Sequence, residues 1–216
     1  MDDTKTQETR IKLLSKVLPQ IRKNGFQSLT MDEIAKLMGV SRATLYKYFS
    51  TKEAIISFMI SECVEFIHKT TEITDISDFA NCFQQIFEQS VLLIEYCTEI
   101  FMTEVKMAYP ENYVILDDAL KVRNSDILNF YNEGIKHGIF NNINGIIAIK
   151  QDEILRSMLN ISFLMANNLT VRDVISEYYL IKKIQLFRPD KISLVDDHVM
   201  AKKIDYLAHK ITQNLI

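Results

Sequence analysis

Helix breakers are scarce in this sequence, with five Gly and three Pro among 216 residues. In a helix interior Gly costs about 1 kcal/mol and Pro about 3 kcal/mol relative to Ala. Between these few breakers, Leu, Ile, Lys, Glu and Met are plentiful, and all suit helices on average. The expected fold class is therefore all-α, diluted only by Ile and Phe, which are also comfortable in strands. With 48% hydrophobic residues the chain can bury a sizeable core, and its length suits one or two domains.

Periodicity places the helices. Ile11, Leu14, Val17, Leu18 and Ile21 recur at spacings of three and four, one face of a helix over 5–24. Pro19 inside that run predicts a bend, and Gly25 predicts its end. Next comes "LTMDEIAKLMGVSRATLYKYF". Thr30 is the expected N-cap of a short second helix, with Asp32 and Glu33 in its first turn and Thr30-x-x-Glu33 as a capping box. Ile34, Ala35 and Met38 form its apolar side, and Gly39 is the break. Ser41 caps a third helix beginning at Arg42, and a fourth begins at Lys52. Further helices are expected over 76–95, 97–108, 111–137, 151–167, 170–187 and 195–213. The segment "GIFNNINGIIAI" (138–149) reads as a connection whose Ile-rich end suits a short strand equally well.

Two short helices joined by a Gly-containing turn have the sequence form of a helix-turn-helix. Ala35 permits close approach of the two helices, while Val40, Leu45 and Phe49 are expected to pack inward. The outer face of residues 42–48 is then free to enter a DNA major groove. Arg42 suits a bidentate pair with guanine, and Ala43 and the Thr44 methyl suit thymine methyls. The Thr44 hydroxyl, Lys47 and Tyr48 suit phosphates, as do Lys52, Ser41 at the cap and Thr30 at the second helix. Tyr46 divides evenly between packing near Phe49 and facing the groove. Charge agrees with this placement: residues 1–52 carry a net +5 and the remainder a net −8.

The stretch "GFQSLTMDEIAKLMGVSRATLYKYFSTKEAI" resembles the signature of the tetracycline-repressor (TetR) family of bacterial regulators. The matching residues are Gly25, Thr30, Ile34, Ala35, Gly39, Val40, Ser41, Thr44, Leu45, Tyr46, Tyr48, Phe49, Lys52 and Glu53, with Arg10, Leu13 and Leu14 in the first helix. Met38 and Ala43 stand where the family usually has Ala and Gly. Val17 and Ile21 replace a typical Ala and Phe, and Pro19 is unusual. In the rest of the chain "YNEGIKHGIF" (131–140) resembles a pattern common before the family's last helices.

The resemblance implies a three-helix DNA-binding domain over 1–52. A helical effector-binding and dimerisation domain would follow over 53–216. It further implies a homodimer on a pseudo-palindromic double-stranded operator, a repressor released by a small molecule. An activator or DNA-organising regulator without a ligand is the alternative. Phe83, Phe87, Phe101, Met102, Met107, Phe130, Met158 and Phe163 are candidates for lining an apolar effector pocket. Thr103, Glu104, Asn129 and Asn160 are candidates for orienting a ligand. Part of 151–213 is expected to form the dimer surface.

Other classes lack support in the sequence. The N-terminus "MDDTKTQETR" is no secretory signal, and the longest uncharged run, Ser157–Val171, is too short and polar to span a bilayer. A cytoplasmic location without membrane contact is expected. Cys63, Cys82 and Cys97 form no pairable or metal-type cluster by spacing, and read as buried thiols. His68, His137, His198 and His209 are scattered without metal spacing. No nucleophile motif, phosphate loop or cofactor fingerprint occurs, so neither an enzyme nor a cofactor is expected.

Overall fold

A computed structural model describes residues 2–69 and 78–215 of the chain. The helices are α1 (Asp2–Asn24), α2 (Met31–Met38), α3 (Arg42–Tyr48), α4 (Lys52–His68), α5 (Asp78–Tyr96), α6 (Glu99–Ala108), α7 (Pro110–Lys136), α8 (Gly145–Met158), α9 (Ile161–Asn167), α10 (Val171–Leu186) and α11 (Asp197–Leu215), with a 3-10 turn at Ile192–Leu194. Among the described residues there is no strand, only an isolated antiparallel bridge between Phe140 and Phe187. The expected all-α architecture, a helix-turn-helix head followed by a helical body, is the one found.

The chain divides into two compact units. The first comprises Met1–His68 and Tyr96–Ala119, the second Lys69–Glu95 and Leu120–Ile216. In the first unit Leu13, Leu14, Val17 and Ile21 of α1 are buried, whereas Ile11, expected on the same face, is 42% exposed. Phe26, just after Gly25, is fully buried; it stacks on Tyr109 at 5.7 Å and meets Phe101 edge-on at 6.2 Å. Burying such a ring stabilises by about 2 kcal/mol. In the second unit Phe79, Phe83, Phe87, Phe130, Tyr131, Phe140, Tyr178, Tyr179 and Phe187 form one continuous ring network, its closest pair being Phe140–Phe187 at 4.9 Å.

Several expected boundaries shift for identifiable reasons. The helix expected from 76 begins at Asp78, and residues 76–77 lie outside the described residues. The single helix expected over 151–167 is two helices. Asn144 starts α8 early, its side chain accepting from the N–H groups of Ile146 and Ile147 at 3.0 and 3.3 Å. The Ile-rich end of 138–149 is therefore helical rather than a strand. Asn160 then caps α9, accepting from Ser162 N–H at 2.8 Å, which commits its side chain to a structural bond. α1 continues through Pro19 to Asn24.

Candidate nucleic-acid interface

Local chemistry fixes the α2–α3 unit. The Thr30 hydroxyl accepts from Glu33 N–H at 3.3 Å, and the Glu33 carboxylate accepts from Thr30 N–H at 2.8 Å, completing the capping box. These Thr30 bonds hold the Glu33 carboxyl below its ordinary range. Gly39 ends α2 at φ 69°, and its N–H and that of Val40 return to the carbonyls of Lys36 and Ala35, each at 3.0 Å. Ser41 then caps α3, accepting from Thr44 N–H at 3.1 Å, and its hydroxyl lies 2.8 Å from that of Thr44.

The two sides of α3 differ sharply. Leu45 and Phe49 are 0% and 1% exposed, packed behind the helix, while Arg42, Ala43, Thr44, Tyr46 and Lys47 face outward and Tyr48 is half-buried. Tyr46, evenly divided by sequence, is thus placed outside. The Arg42 guanidinium lies 5.5 Å from the Tyr46 ring and pairs with Asp32 at 3.3 Å. Tyr46 first, and Asp32 next, reinforce its positive charge. One short helix therefore offers a bidentate donor, two small methyl-bearing residues, and further hydroxyl and ammonium groups on one solvated face.

Four cations of the head are used inside it. Arg10 Nε donates to Tyr48 O at 3.1 Å and its guanidinium lies over the rings of Phe49 and Phe58. Lys16 Nζ donates to Met38 O at 3.0 Å. These two side chains satisfy C-terminal carbonyls of α3 and α2. Lys52 Nζ donates to Phe26 O, Gln27 O and Leu29 O at 3.2, 2.8 and 2.9 Å. Its three N–H groups are thereby occupied, so Lys52, a phosphate candidate by sequence, here clamps the loop between α1 and α2. On the same loop the Glu104 carboxylate accepts from the N–H groups of Phe26 and, at 3.1 Å, of Gln27. Glu104, a candidate ligand contact by sequence, is thus a second clamp. Arg22 is buried, its guanidinium 4.1 Å from the Tyr96 ring. Charge counting alone could not separate these from outward-facing cations.

The sequence profile of the bacterial regulatory proteins of the tetR family matches residues 17–57, which hold α2, α3 and the Lys52 clamp. The chain carries a TetR-family DNA-binding domain. The relative UidR of Escherichia coli, a helix-turn-helix transcriptional regulator, is 39% identical over 57 residues, 26% of this chain and 29% of UidR. YvaF of Bacillus subtilis, also a helix-turn-helix regulator, is 22% identical over 136 residues, 62% of this chain and 71% of YvaF. The fold extends the likeness: the regulator FadR of Bacillus subtilis, solved with stearoyl-CoA, aligns over 82% of this chain and 97% of its own with a TM-score of 0.53 at 18% identity.

Beyond the TetR-type head, the effector candidates separate. Phe101, Met102 and Met107 belong to the first unit; Phe83, Phe87, Phe130, Met158 and Phe163 belong to the second. Phe83, Phe87 and Phe130 are buried in the ring network, and Phe101 is buried against Phe26. Met102 and Met158 are half-buried. Met107 and Phe163 are 73% and 36% exposed.

Sequence reasoning missed a buried polar seam beside those rings. Lys182 pairs with Asp152 at 3.0 Å, and the Tyr178 hydroxyl donates to the same carboxylate at 2.9 Å. Lys183 pairs with Asp197 at 2.6 Å. Arg123 donates to Gln89 at 2.6 Å and Ser90 at 2.7 Å. The available signal was the doublet "KK" between apolar residues of one predicted helix, which sets two lysines beside the apolar stripe without saying where their ammonium groups go. Among the described residues no helix is long and apolar enough to cross a membrane.

Proposed function

We propose that this TetR-type protein is a homodimeric repressor that reads a pseudo-palindromic DNA operator through α3 and releases it on binding a small apolar effector. Residues 1–52 serve as the reading domain and 53–216 as the effector and dimerisation domain. The observation that carries the reading is the two-sided α3, with Leu45 and Phe49 buried behind Arg42, Ala43, Thr44, Tyr46 and Lys47. Arg42 selects a guanine, Ala43 and Thr44 meet thymine methyls, and Tyr46, Lys47, Tyr48, Ser41 and Thr30 hold the backbone. The two heads of a dimer fall roughly 34–36 Å apart or somewhat more.

Support for the dimer comes from apolar side chains left in solvent. Leu180, Ile181 and Ile184 share one face of α10, and Ile146, Ile147 and Ile154 project from α8. An isologous interface places each such face against its copy. Support for an effector comes from the ring network of the second unit and from FadR, a regulator of this fold solved with stearoyl-CoA. Release requires the effector to bind the DNA-free state better than the DNA-bound one.

The test is anisotropy titration on duplexes selected by the protein from a random-sequence pool. Arg42→Ala should lose about 1–3 kcal/mol at one base pair per half-site and relax the preference there. Lys47→Ala should weaken all sequences alike and lower the salt slope by about one. An Arg42→Ala protein with unchanged sequence preference sinks the assignment. For the effector, a ligand at a hundred times its Kd should add about 2.7 kcal/mol of stability, read as a rise in Tm.

A further inference from the structure

By sequence, Cys63 and Cys97 stand 34 residues apart with no pairing signal, yet their sulfurs lie 3.9 Å apart in the first unit. Neither is in a disulfide. Cys63 lies on α4 and is half-buried; Cys97 is buried at the corner where α5 ends and α6 begins. The next residue, Thr98, caps α6 and donates its hydroxyl to Arg22 O at 3.0 Å, which ties this corner to α1. Disulfide sulfurs sit about 2.05 Å apart, so closure asks the pair to approach by roughly 2 Å. Cys82, the third thiol, is buried in the second unit and serves as an internal control.

We propose that Cys63 and Cys97 form a dithiol switch that closes to a disulfide under a hydroperoxide and thereby locks α4 against the α5–α6 corner. Cys63, the less buried of the two, attacks the hydroperoxide O–O bond as the thiolate. It becomes a sulfenic acid, and an alcohol or, from hydrogen peroxide, a water leaves. The Cys97 sulfur then attacks the sulfenic sulfur, expels its hydroxyl as water and completes the S–S bond. The hydroperoxide is reduced by two electrons and the dithiol oxidised by two; the two thiol protons end on the alcohol and the water. A thiol reductant reopens the bond by exchange.

The local field sets the speed. The hydrogen bond shared with Cys97 comes first, and burial next, in pushing the Cys63 thiol far above its ordinary range; the Arg22 charge pulls the other way. The pair therefore answers sustained oxidant rather than acting as a fast peroxide scavenger. The consequence for DNA, which rests on the reading proposed above, follows from connectivity. The other end of α4 carries Lys52, the clamp on the loop that leads into α2.

The full-length protein is treated with hydrogen peroxide, then mapped by non-reducing peptide mass spectrometry and by counting thiols open to alkylation after denaturation. Expected are a Cys63–Cys97 link, a fall from three free thiols to one, and full reversal by dithiothreitol. The closed loop should also raise Tm by several degrees. On a duplex selected by the reduced protein, oxidation should weaken binding tenfold or more, and both Cys63→Ala and Cys97→Ser should abolish that response. Absence of the link in the native protein, an unchanged response in both variants, or a link that moves neither Tm nor affinity overturns the proposal. If the reduced protein selects no duplex, the DNA reading fails, and the link and Tm alone judge the dithiol.

Discussion

A charged side chain in a DNA-reading head has two possible employers, the nucleic acid and the head's own backbone, and geometry separates them. Lys47 is exposed, whereas the Lys52 ammonium is shared among three carbonyls. Lys52→Ala should therefore lower stability by about 1–3 kcal/mol, because carbonyls lose a charged donor, and should leave the salt slope of DNA binding unchanged. Denaturant melts and salt titrations on both variants check this; a Lys52→Ala slope reduced like that of Lys47→Ala returns Lys52 to the phosphates. Glu33 makes a pH prediction. Thr30 holds its folded pKa below the ordinary 4.5, so the cap's contribution is present above that value and is lost as pH falls through the depressed folded one. Following the Thr30 amide by NMR should show a midpoint below 4.5, moving back toward it in Thr30→Ala.

Among the elements, the tightest steric demand lies where α7 ends. A Cβ on Gly134 would sit 1.9 Å from the Phe140 ring, itself held by Phe79, Phe130 and Phe187. Gly134→Ala should cost about 1–3 kcal/mol by overpacking, measured by urea denaturation; a smaller residue at 140, as in a Gly134→Ala/Phe140→Leu double variant, should recover part of it. Elements of this kind were only partly legible beforehand. The α2–α3 pair could be read nearly residue by residue, because caps, the turn glycine and the apolar spacing are all local. The start of α8 was missed although its signal is equally local, since Asn144 caps it in the same way; the Gly145 that follows masked it by reading as a break. The ring network, the Cys63–Cys97 approach and the buried Lys182 and Lys183 arise from tertiary neighbours far apart in sequence, which periodicity does not encode. The exposure of the α3 residues was legible from the apolar spacing of Leu45 and Phe49, while the three carbonyls that hold Lys52 were not, because a bound and a free ammonium look alike in a sequence.

For the whole molecule, the proposed assembly depends on α10. Ile184, 54% exposed, shares its face with Leu180 and Ile181. Ile184→Glu should dissociate the dimer in sedimentation velocity and weaken operator binding by an order of magnitude or more, with the helical content retained, because one head alone reads a half-site. A variant that stays dimeric moves the interface elsewhere. On a chromosome such a dimer meets far more wrong sequence than right, and the pairing of Arg42 with Asp32 bears on that traffic. An arginine facing a mismatched base would ordinarily be stranded, desolvated and without a partner. Here the proposed reader has a resting place within its own head, against Asp32. On the proposed reading, Asp32→Asn, which removes that refuge's charge, should lengthen residence on non-cognate DNA, read as slower stopped-flow dissociation from a random-sequence duplex, so that a carboxylate outside the reading helix governs how quickly the protein abandons the wrong address.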